Sequence, residues 1–139
     1  NPQVGENPKF DGKHVGPRFN DMSKSYNREM TAVMRDVFGS RKFQVNEGIY
    51  LGLLGPSFET PAEVALFARW GLDAVGMSTV WENIALNHSG ARVAGVSFIS
   101  NLGCGLTDAP LDHEDVLRET SKAAAAVVEA LFGIAARKL

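Results

Sequence analysis

The chain has 139 residues, 45% hydrophobic and 22% charged, enough for one globular domain or a piece of one with a sizeable core. A formal net charge of -2 and a pI near 5.9 supply no basic surface, which argues against nucleic acid or an anionic membrane as the main partner. The single Cys104 has no partner for an internal disulfide or a Cys-rich zinc site. It points to a reducing, cytoplasmic setting and gives metal catalysis little support.

Residues 1 to 20 hold three prolines and three glycines and little apolar periodicity, so an extended loop is expected. No signal-peptide core and no bilayer-length apolar run is present. From Asp21 to Phe38, Met22, Tyr26, Met30, Val33, Met34 and Val37 recur at helical spacing, with Gly39 as the stop. This stripe of Met and aromatic residues reads as core packing.

After a polar connection, Ile49-Tyr-Leu-Gly-Leu-Leu54 has the length and apolarity of a buried strand. Gly55-Pro-Ser-Phe-Glu-Thr-Pro-Ala-Glu63 then turns the chain: Thr60 and Glu63 form a capping box, Pro61 suits the first helical position, and the helix runs to Trp70 and closes at Gly71. Phe58 and Glu59 fall in the turn at the strand's carboxyl end, where α/β sheets place ligand crevices. A ring beside an anionic acceptor suits a heterocycle with N–H donors. The same nine residues also read as an ordinary capped helix with Phe58 in the core and Glu59 at the surface.

The plan repeats. Leu72-Asp-Ala-Val-Gly-Met77 is a short strand, Thr79 and Glu82 make a second capping pattern, and the helix ends near Ser89-Gly90. Arg92-Val-Ala-Gly-Val-Ser-Phe-Ile-Ser100 reads as a third, buried strand delivering Asn101. A Gly-rich loop, 101 to 111, leads to Asp112 as N-cap and a final helix from His113 to about Arg137. Alternating strands and helices predict an α/β fold, a central mostly parallel sheet flanked by helices. Three strand ends then deposit Phe58 and Glu59, Met77 and Ser78, and Ser100 and Asn101 along one sheet edge. His14 and His88 lie outside any motif and are expected at the surface, and Cys104 has no partner for nucleophilic catalysis.

At Gly55-Pro-Ser-Phe-Glu-Thr, Asp73-Ala-Val-Gly-Met-Ser-Thr-Val and Ser97-Phe-Ile-Ser-Asn101 the chain resembles the trimeric purine nucleoside phosphorylases, in order and in spacing. The likeness extends to Arg18-Phe-Asn-Asp-Met-Ser23 and Pro110-Leu-Asp-His-Glu-Asp-Val116. It implies that residues 1–139 are the carboxyl-terminal half of a single nucleoside phosphorylase domain, the Gly-rich phosphate loop and phosphate-binding Arg and His of the first half having no counterpart. It further implies that Glu59 accepts from the N–H edge of a 6-oxopurine, that Asn101 contacts its O6 and N7 side, that Phe58 packs on the base and that Val75 lines its pocket. By the same resemblance Tyr50 and His113 bind ribose hydroxyls, Met77 lies under the sugar, Ser78 contacts phosphate, and Phe19 reaches a neighbouring subunit's site in a homotrimer. Orthophosphate is then a co-substrate and no cofactor is needed. Taken alone, Tyr50 reads as a strand aromatic, His113 as the start of a helix and Ser78 as a capping residue. Phosphorylases of 5′-methylthioadenosine carry Asp where this chain has Asn101; a third possibility is a non-catalytic piece that assembles or binds purine weakly.

Overall fold

The computed structural model describes residues 9–14 and 16–107, together with Ala124, Val127, Val128, Leu131, Phe132, Ala135 and Ala136 near the carboxyl end. The element order is β1 (Lys9–Phe10), β2 (Lys13–His14), α1 (Arg28–Ser40), β3 (Tyr50–Gly52), α2 (Pro61–Arg69), β4 (Ala74–Gly76) and α3 (Val80–His88).

The segment 1 to 20, expected to be a loop, contains a small antiparallel hairpin, Lys9 opposite His14 and Phe10 opposite Lys13. Asp11 and Gly12 form its turn with φ of 50° and 71°, the left-handed pair that a two-residue hairpin turn of the I′ type requires. Further on, α1 starts later than its apolar stripe suggests. Asn27 caps it by accepting from Met30 N at 3.0 Å, and Asn27 N donates to Val93 O at 2.7 Å, so Met22 and Tyr26 lie before the helix. Gly39 does not stop it, because the last turn continues to Ser40 and closes on Arg41 N–H bonds to Gly39 and Phe38 carbonyls.

The buried face of α1 is Met34, Val37 and Phe38, packed by Val33, Phe43, Ala94 and Val127. Phe43 meets Phe38 edge to face, centroids 5.8 Å apart. Val127 belongs to the helical residues near the carboxyl end, so that end of the chain and the stretch 92–100 share the core with α1.

Strands β3 and β4 pair in parallel, Tyr50 with Ala74, Leu51 with Val75 and Gly52 with Gly76. The pair is bracketed at both ends: Asp73 Oδ2 accepts from Ile49 N at 2.8 Å, and Gly76 O accepts from Leu53 N at 2.9 Å. Parallel register with α2 as the crossover therefore brings the two carboxyl ends side by side.

The third strand is a correction. Residues 92–100 join no ladder among the described residues, and Val96, Phe98 and Ile99 are 43%, 46% and 61% exposed. A strand exists only where a second backbone lies alongside it, and the described residues supply none there. Among the described residues the fold is thus α/β, with a two-stranded parallel pair where a central sheet was expected.

Candidate functional site

The first wall of the site is the turn from β3 into α2. Thr60 Oγ1 accepts from Glu63 N at 3.3 Å, and Glu63 Oε2 accepts from Thr60 N at 2.8 Å, so the capping box predicted from the sequence is present with Pro61 in the first turn. These bonds hold the Glu63 carboxyl below the usual carboxylate range. Thr60→Ala should cost about 1 kcal/mol of stability, read from urea unfolding. A lowered carboxyl stabilises the fold at neutral pH and stops doing so as pH falls through its folded value, so the variant should also show a shallower acid-side loss of stability. Within this turn Phe58 is 43% exposed and Glu59 is half-buried, with no hydrogen-bond partner among the described residues. Phe58 is therefore not sequestered in the core.

Met77 follows β4 and crosses to the first wall. Its thioether lies against Gly55, where a Cβ would overlap Sδ and where φ is +62°, so Gly55 alone admits both the turn and the contact. Tyr50 sits on β3 with its hydroxyl over Gly76, and Val75 is half-buried on β4 opposite Leu51.

The capping pattern expected at Thr79 and Glu82 does not form. Thr79 makes no cap bond and adopts φ 71°, ψ -52°, while Val80 N donates to Ser78 O at 2.7 Å. That is a γ-turn of the rare, strained kind, held by a β-branched residue at the point where β4 passes into α3. It leaves Ser78 Oγ 3.3 Å from Thr79 Oγ1 and exposed.

Asn101 follows the stretch 92–100. Ser100 Oγ donates to its Oδ1 at 2.8 Å, and its Nδ2 donates to Leu102 O at 3.0 Å. The loop beyond it folds onto the first turn of α2, Gly103 against Val64 and Gly105 against Pro61. The loop of Asn101 and the turn of Glu59 thus meet at the same helix start, with Met77 just beyond β4 against Gly55 and the Tyr50 hydroxyl on β3 over Gly76.

Two predicted residues stand elsewhere. Phe19 is 83% exposed, with the Arg18 guanidinium 5.3 Å from its ring centroid, and joins none of these groups within the chain. His113 lies outside the described residues.

Several polar groups escaped the sequence reading. A cavity of about 300 Å³ beside Ser78 is lined by Tyr26, Glu82, Asn83 and Gly95, among others. Burial raises the Tyr26 phenol above its ordinary value, against a hydrogen bond with Asn83 that lowers it. Asn87 Nδ2 donates to Asn83 Oδ1 at 2.6 Å. The four-residue spacing of Asn83 and Asn87 on α3 is the signal that would have found this pair. His88, expected at the surface, is instead 2% exposed: the strap that begins at Gly16 covers it, and its Nε2 lies 2.9 Å from Pro17 O. His14 is exposed and Cys104 is a half-buried free thiol. Among the described residues no three His, Cys, Asp or Glu side chains gather as a metal site, and no helix is long and apolar enough to cross a membrane.

Parallel strands whose carboxyl ends feed a capped helix and two polar turns make this an α/β protein with its candidate site at the strand ends. The family model described as "Phosphorylase superfamily" matches residues 1–135, and the chain belongs to that family. It is 39% identical over 137 residues to purine nucleoside phosphorylase 1 of Bacillus subtilis, covering 99% of this chain and 49% of that one. It is 42% identical over 122 residues to purine nucleoside phosphorylase 1 of Geobacillus stearothermophilus, covering 88% and 43%. Among solved structures, Schistosoma mansoni purine nucleoside phosphorylase in complex with inosine superposes with a TM-score of 0.81 at 31% identity, over 86% of this chain and 44% of that one. The chain spans about half the length of the relatives it matches.

Proposed function

We propose that these residues are the second half of one phosphorylase domain and carry the base and sugar side of a purine nucleoside phosphorylase site. The whole enzyme would convert inosine, guanosine and their 2′-deoxy forms, with orthophosphate, to the free base and the pentose 1-phosphate. The observation that carries this is the meeting of the Glu59 turn and the Asn101 loop at the start of α2, beside Met77 at the carboxyl end of β4 and the Tyr50 hydroxyl over Gly76.

Cleaving an N-glycosidic bond builds positive charge on the ribose and negative charge on the departing purine, so donors must stand where that anion forms. The Asn101 amide is such a donor for the N7 and O6 side. Nδ2 carries two hydrogens and spends one on Leu102 O, so the second is free for the base. Glu59, half-buried and without a partner among the described residues, accepts from the N1–H edge. Phe58 packs on the purine, Val75 lines the base pocket, Tyr50 and His113 hold ribose hydroxyls, and Met77 lies under the sugar.

Ser78 offers its exposed hydroxyl to phosphate. Orthophosphate is itself the nucleophile, so the protein's task is alignment and charge stabilisation, with no cofactor and no acyl-type triad. The other phosphate ligands come from the half of the domain beyond these residues. Phe19 completes a neighbouring subunit's sugar site in a homotrimer. Asn101 favours 6-oxopurines over the 5′-methylthioadenosine alternative, since an amide presents a donor to O6 where an adenine would require an acceptor for its N6 hydrogens.

In the full-length phosphorylase carrying these residues, Glu59→Gln should lower kcat/KM for inosine by about 10²-fold or more, because the amide presents a donor to N1–H on one rotamer and a weaker acceptor on the other. Steady-state phosphorolysis checks this, and an unchanged kcat/KM removes Glu59 from its role.

A further inference from the structure

We infer that the last turn of α3, through His88 and Asn87, is a positioning device for Phe19. This inference rests on the reading that Phe19 enters a neighbouring copy's sugar site, and it assigns the residues that set its position there.

The strap from Gly16 to Ser25 has no regular secondary structure, yet it is tied to α3 at three points. Pro17 O lies 2.9 Å from His88 Nε2, Asn20 Nδ2 donates to Ile84 O at 3.3 Å, and Ser25 O accepts from Asn87 Nδ2 at 2.9 Å. A carbonyl only accepts, so the His88 ring carries its proton on Nε2 and donates it to Pro17. Its Nδ1 is buried without a partner, so that single bond is the ring's polar anchor among the described residues. The approach is close enough to exclude a side chain at 16: a Cβ on Gly16 would overlap the His88 carbonyl oxygen and stand 3.2 Å from ring Cε1.

Phe19 falls between the first two ties and points its ring out of the chain, 83% exposed. A large apolar ring on a strap fixed at both ends is presented and not loose. The same helix starts at Val80, immediately after Ser78 and the γ-turn at Thr79. Nine helical residues make a rigid spacer of about 14 Å, so α3 sets how far the exported ring stands from the chain's own strand-end site. Asn83 and Asn87 continue that link along one face through their 2.6 Å bond. Neither His88 nor Asn87 touches the reacting groups; they act through the strap.

The test is inosine phosphorolysis by the full-length phosphorylase carrying these residues, with Phe19→Ala, His88→Ala, His88→Gln and the double variant. Phe19→Ala and His88→Ala should each raise KM about tenfold with kcat changed less than about threefold, the signature of lost substrate binding without lost chemistry. The double variant should be no worse than Phe19→Ala alone, since both remove one device. His88→Gln, which can place a donor near the position of Nε2, should recover KM to within about twofold. Should His88→Ala fail to fold, Asn87→Ala unties the strap at Ser25 without emptying a buried site and should raise KM in the same direction. A normal KM in Phe19→Ala overturns the reading of Phe19. A raised KM there, with His88→Ala and Asn87→Ala normal or additive to it, overturns the positioning role and leaves that reading standing.

Discussion

Asp in place of Asn101 should turn base preference from 6-oxopurines toward 6-aminopurines, with kcat/KM for inosine falling by about 10²-fold and that for adenosine rising. The reason lies in the hydrogens of one side chain. Ser100 Oγ donates to Oδ1 and so fixes which end of the Asn101 amide is the acceptor, leaving Nδ2 as the donor. One Nδ2 hydrogen goes to Leu102 O and the other is available to N7 or O6. A carboxylate keeps the bond from Ser100 but sets a second acceptor against both Leu102 O and the purine O6. It is matched instead by an exocyclic amine. Phosphorolysis rates for inosine and adenosine with the Asn101→Asp enzyme decide the matter, and retained inosine preference would remove Asn101 from the base site.

The second large effect concerns the stretch 92–100. Its Val96, Phe98 and Ile99 are apolar and largely exposed, and no described strand pairs with it. Burying one such side chain is worth about 1.5–3 kcal/mol, so this edge strongly favours a partner strand. The matched relatives carry about as much chain again beyond the region of likeness. Mixed with the complementary half of the Bacillus subtilis relative, the 139-residue chain should show amide exchange slowed about 100-fold or more across 92–100. Alone, it should exchange rapidly there and self-associate. Slow exchange across 92–100 in an isolated, monomeric chain would contradict the account.

These two stretches also show what a sequence can carry. The capping box at Thr60 and Glu63 was legible because it is local: all its donors and acceptors lie within four residues. So were the glycine closing α2 and the strand-turn-helix order around Phe58 and Glu59. The apolar, β-branched composition of 92–100 reads as a strand, yet the structure forms none there, because pairing depends on a neighbour that no local pattern reveals. The burial of His88 depends on Gly16 and Pro17, about seventy residues away, and nothing near His88 announces it. Thr79 and Glu82 carry the spelling of a capping box, yet the γ-turn after Ser78 takes the backbone out of cap geometry. The Asp11-Gly12 hairpin is a different case: its turn residues are the usual pair, but the two-residue strands around them are too short and too exposed to show apolar alternation.

Whether these residues supply the base-binding half of a phosphorolytic site is decided by following hypoxanthine release from inosine, with and without orthophosphate, in samples whose intact mass is known. The 15.0 kDa chain alone should release none, while a longer protein carrying these residues should release hypoxanthine only when phosphate is present. A folded, full-length protein that leaves inosine intact in phosphate would contradict the account.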